Sequence, residues 1–85
     1  MHPEPQISQI VEYLINELGD EFCPVFEKYV TASNDFRFVQ FKGQKREKLW
    51  NYDPHFIKAV ETFIEDTKDD IFEGFRIRAI DALQN

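Results

Sequence analysis

Arg37, Lys42, Lys45, Arg46 and Lys48 fall within twelve consecutive residues, interleaved with or flanked by Phe36, Phe38, Phe41, Trp50 and Tyr52. Cations spaced among aromatics can do two kinds of recognition chemistry. On nucleic acid, the cations take phosphates while exposed rings (Phe38, Phe41, Trp50 or Tyr52) stack on bases. On a protein, the same cations pair with acidic side chains and steer the encounter. A third assignment is architectural, with the rings in the core and the charges keeping an exposed turn in water. In a chain this short the rings are needed inside, and that expectation is the stronger one for the aromatics.

No comparable pattern supports bond-breaking chemistry. The hydroxyl and thiol candidates are Cys23, Ser8, Ser33 and a few threonines, and the only histidines are His2 and His55. A nucleophile needs a base within reach, and no local sequence brings cysteine and histidine together. Cys23 lies among Phe22, Val25 and Phe26, a setting for a buried structural thiol. Asp53 and His55 give two ligands at a helix start, too few for a metal. Glu65-Asp66-Thr67-Lys68-Asp69-Asp70 lacks the alternating acids and central glycine of a calcium loop. With three glycines and no phosphate-cradling loop, neither catalysis nor a cofactor is expected.

The charge of the whole chain narrows the partners further. At 85 residues the net charge is −6, and fifteen of the sixteen acids lie outside residues 36–48. Such a surface repels DNA and anionic membranes except through a local patch. No apolar run approaches the ~18 residues of a membrane span. The opening MHPEPQ has no basic stretch followed by an apolar one, so no secretory leader is expected. One free cysteine and no leader point to a reducing cytoplasm. Hydrophobic residues make up 42% of the chain, enough for a folded single domain over 1–85 built largely from nine phenylalanines.

Periodicity supplies the elements that must carry these residues. Ile7, Ile10, Val11, Leu14, Ile15 and Leu18 recur at helical spacing, after Pro5 and before Gly19. A second helix follows, with Asp20 as its cap and Phe22, Phe26, Tyr29 and Val30 facing inward. Phe36 to Phe41 is aromatic and β-branched without a helical period, which predicts a strand. Its nearest partner lies across Lys42-Gly43-Gln44-Lys45, giving a β-hairpin with the basic residues on its tip and outer face. The competing expectation is a helix through 44–51, whose residues are good helix formers. Asp53-Pro54 starts a helix with Phe56, Ile57, Val60, Phe63 and Ile64 on its inner face. Asp69 or Asp70 caps a last one, with Ile71, Phe72, Phe75, Ala79, Ala82 and Leu83 inside and Gly74 marking a close approach.

The predicted fold is therefore mostly α (α+β), four helices with a short hairpin between the second and third; an all-α bundle is the alternative. The predicted function is a small acidic, non-enzymatic interaction module that regulates another macromolecule, most readily a protein. Arg37, Lys42, Lys45, Arg46 and Lys48 form its candidate binding surface. Ile77 and Ile80, apolar residues off the inner stripe of the last helix, form a candidate interface for a partner or a homodimer. Nucleic-acid binding through 37–52 is the alternative function. An acidic mimic of nucleic acid, seated in a basic groove, is a third.

Overall fold

The computed structural model describes residues 3–85, and among them every regular element is helical. Five α-helices run Ile7–Asn16 (α1), Gly19–Ala32 (α2), Arg46–Tyr52 (α3), Pro54–Asp66 (α4) and Asp70–Gln84 (α5). A 3-10 turn, Val39–Phe41, lies between α2 and α3. The α+β prediction is thus overturned and the all-α alternative fits. Candidate histidine His2 lies outside the described residues.

Residues 36–41 do not form a strand because their burial has a period of three. Phe38 and Phe41 are buried, whereas Phe36 and Val39 are exposed. In a strand Phe36 and Phe38 would share a face; in a tight turn, residues three apart do. Two successive turns deliver this spacing, the Phe38 N–H bonding the Asp35 carbonyl and the Phe41 N–H bonding that of Phe38, each at 3.0 Å. The second half of the expected hairpin is α3. Lys45 holds an extended backbone before it, and Leu49 and Trp50 turn inward from a run of good helix formers. Gly43, at φ +86°, makes the change of direction between the 3-10 turn and α3.

The helix boundaries follow their caps. The Gln9 side chain accepts the Gln6 N–H at 2.8 Å, where α1 begins. Asp53 accepts the N–H groups of His55 and Phe56, and Asp69 those of Ile71 and Phe72. Gly19 opens α2 instead of closing α1, and Leu18, not Asp20, stands at the cap position.

α1 packs against α2, α4 and α5 and contributes Ile10, Val11 and Leu14 to the core. The centre is aromatic. The ring of Phe26 in α2 meets Phe38 of the turn (5.2 Å), Trp50 of α3 (5.8 Å), Phe63 of α4 (5.3 Å) and Phe72 of α5 (5.6 Å), all edge to face. Such pairs add about 0.5–1.5 kcal/mol each beyond area burial. On α5 the buried stripe is narrower than its sequence suggests. Phe72, Phe75 and Ala79 are buried, but Ile71, Ala82 and Leu83 face solvent. Gly74 meets no close neighbour either, since a Cβ there would have nothing within 4 Å.

Candidate interaction surfaces

The five cations of the basic segment have very different surroundings. Arg37 is bound from several sides. Its Nε and Nη2 reach Asp35 Oδ1 and Oδ2 at 2.9 and 2.7 Å, and its backbone N–H reaches Oδ1 at 3.0 Å. Nη1 bridges to both oxygens of Asp66, at 3.2 and 3.3 Å. The guanidinium lies 5.4 Å from the Phe63 ring centroid and 5.8 Å from that of Phe38. The Tyr29 hydroxyl donates to Asp35 Oδ2 at 3.0 Å. These contacts clamp the turn after α2 onto the end of α4. The hydrogen bonds from Arg37 hold the Asp35 carboxyl down to about 2, and those from Asp35 keep Arg37 firmly charged. Burial, then the hydrogen bond to Asp35, pushes the Tyr29 hydroxyl above its ordinary value.

Arg46 is likewise engaged. It makes a two-pronged pair with Glu27, Nε to Oε1 at 2.8 Å and Nη2 to Oε2 at 2.7 Å. Glu27 Oε1 also accepts the Trp50 indole N–H at 2.9 Å, so one carboxylate of α2 holds both ends of α3. Lys42 donates to the Ser33 carbonyl at 2.7 Å, just past the end of α2. Of these five cations, Lys45 and Lys48 have no ion pair or side-chain hydrogen bond among the described residues, and Tyr52, 77% exposed, ends the same short helix. Of the proposed stacking rings, Phe38, Phe41 and Trp50 are buried.

Exposed apolar residues mark other surfaces. Ile77 of α5 is 48% exposed, while Ile80 is half-buried and packs on the core. Among the described residues the most exposed large apolar side chain is Phe36, 85%, and Val39 is 54% exposed. Phe36 and Val39 were not distinguishable from core residues in the sequence. Phe36 and Val39 have the same three-residue spacing as Phe38 and Phe41, so spacing sorts the four into two pairs without saying which pair is buried.

A groove runs where α1, α2, α3 and α4 meet. One depression of about 500 Å³ is lined by Gly19, Asp20, Cys23 and Pro24 of α2 and by Glu47, Trp50 and Asn51 of α3. A second of about 280 Å³ reaches Ser8 and Glu12 of α1 and Ile57 and Glu61 of α4. The two share Ile15, Asn16 and Trp50 in their linings, so they lie side by side. The Cys23 thiol beside this groove is half-buried. Burial, and then the Glu27 carboxylate, pushes it up to about 11, so it is a neutral thiol near pH 7. Among the described residues no three His, Cys, Asp or Glu side chains converge as metal ligands, and no helix is long and apolar enough to cross a membrane. Comparison with protein-family models, curated proteins and solved structures gives no match.

Proposed function

We propose that this chain is a protein-interaction module that acts by binding, with Phe36 and Val39 as its apolar anchor. The observation that carries this reading is an 85% exposed phenylalanine on a turn clamped by the Asp35–Arg37–Asp66 bonds. Exposed aromatics at a partner's pocket dominate binding energy. A turn already held in place loses little freedom on docking, which lowers the cost of association. Arg37, first read as a contact residue, has the role of holding the anchor. With burial pushing its pKa up, the Cys23 thiol is poorly suited to act as a nucleophile.

Parallel affinity captures from the source cell, with wild type and with Phe36→Asp, test the reading. A protein recovered by wild type should then bind purified Phe36→Asp at least ~10-fold more weakly. Helical circular dichroism should be unchanged, because exposed substitutions usually move stability by less than about 0.5 kcal/mol. Equal affinity of Phe36→Asp and of Val39→Asp would overturn the anchor.

One observation favours a second reading, oligonucleotide binding: Lys45, Lys48 and Tyr52 are exposed on or beside one helix. With so few free cations the salt dependence should be shallow, near −0.7 in log affinity per phosphate contacted on single strands. Micromolar binding at physiological salt, abolished by Lys45→Gln with Lys48→Gln, would promote this reading over the first.

A further inference from the structure

We propose that the groove between α1, α2, α3 and α4 docks a basic amphipathic helix of a partner protein, at a surface that shares no residue with the Phe36 anchor. Its apolar lining is Ile15 and Ile57, both half-buried, with Trp50, which lines both depressions. Each neighbouring helix contributes one stripe at helical spacing. Ser8, Glu12, Ile15 and Asn16 come from α1, Ile57 and Glu61 from α4, and Glu47, Trp50 and Asn51 from α3. Four helices thus frame two adjoining depressions with apolar side chains in their linings, a surface on which an amphipathic helix can lay its apolar face.

Charge selects the occupant. Glu12, Asp20, Glu47 and Glu61 line the groove, and none forms an ion pair among the described residues. The lining contains one cation, Arg46, and its guanidinium is held by Glu27. The groove therefore sets uncompensated negative charge beside apolar side chains. An acidic or neutral helix would leave those carboxylates unpaired or repelled, whereas lysines and arginines flanking an apolar stripe would meet them. The chain's net charge of −6 steers such a segment in from a distance.

The test uses a synthetic peptide of about 18 residues, ~27 Å as a helix, with leucines at i, i+3, i+4 and i+7 and lysines on the flanking positions. Trp50 is the chain's single tryptophan and lies in the groove, so its fluorescence reports occupancy directly. The peptide should bind wild type at micromolar concentration. A scrambled isomer of identical composition should bind at least ~10-fold more weakly, since it has the charge without the apolar stripe. Glu12→Gln with Glu61→Gln, and separately Asp20→Asn with Glu47→Gln, should each weaken the peptide at least about fivefold, with thermal unfolding checked for each pair. Phe36→Asp should leave peptide affinity unchanged, which separates this surface from the anchor. No binding by wild type, equal binding of the scrambled isomer, or indifference to both carboxylate pairs would each overturn the proposal.

Discussion

Asp35 and Arg37 sit two residues apart, and their pairing supplies a titration that stability must follow. Hydrogen bonds from Arg37 hold the folded-state carboxyl at about 2, below the ordinary aspartate value of 3.8. A depressed carboxyl stabilises the fold above its unfolded pKa, and that contribution is lost as pH falls through the folded value. Denaturant stability of the wild type should therefore decline between about pH 4 and pH 2, beyond the effect of other acids. Asp35→Asn should lose part of that pH dependence. It should also be less stable at pH 7 by about 1–3 kcal/mol, because a half-buried guanidinium loses the nearer of its two charged partners and keeps only Asp66. Parallel wild-type and Asp35→Asn profiles from pH 6 to pH 2 would show that the clamp contributes nothing. Since the clamp positions Phe36, the same variant should weaken partner binding without touching the anchor itself.

Gly43, between α2 and α3, and Gly74, inside α5, give opposite expectations. Gly43 adopts φ +86°, so alanine there carries backbone strain although nothing lies within 4 Å of its Cβ. Gly43→Ala should cost about 1–2 kcal/mol, the left-handed penalty for an L-residue. Gly74 is inside α5 and equally open, but its backbone is helical. Gly74→Ala should stabilise by up to about 1 kcal/mol through helix propensity. Urea titrations of the two variants decide the matter. A neutral Gly43→Ala would contradict the strained turn, and a destabilised Gly74→Ala would reinstate the close approach that its sequence position suggested.

Across the molecule, Phe26 links the turn, α3, α4 and α5 through one ring. Truncation to alanine should cost about 3–5 kcal/mol, out of a total expected at about 5–15 kcal/mol for a small domain. Because the lost ring contacts reach the turn, α3, α4 and α5, unfolding should stay a single transition. Trp50 fluorescence and helical circular dichroism should then give coincident curves in Phe26→Leu, a milder truncation that keeps the fold populated. A fluorescence change preceding the loss of helix would mean that α3 melts separately, against the Glu27 and Phe26 contacts that hold it.

Much of this arrangement was legible before any coordinates. The inner faces of α1, α2 and α4 follow from helical periodicity, and the start of α4 from Asp53 and that of α5 from Asp69 or Asp70, of which the structure uses Asp69, because caps and amphipathic stripes are local properties. The charge reversal at 36–48 was likewise plain, as was the excess of acid elsewhere. Local sequence could not decide between hairpin and helix for 36–52, since β-forming aromatics precede helix-forming charges and only packing arbitrates between them. Phe38 and Phe41 enter the core because Phe26, Phe56 and Phe63 are there to receive them. Phe36, chemically identical, is left in water. The division of the five cations is tertiary for the same reason: Arg37 and Arg46 find carboxylates 29 and 19 residues away in sequence, at Asp66 and Glu27, that only folding brings near. The acidic groove exists in no single segment, because its lining is assembled from four helices.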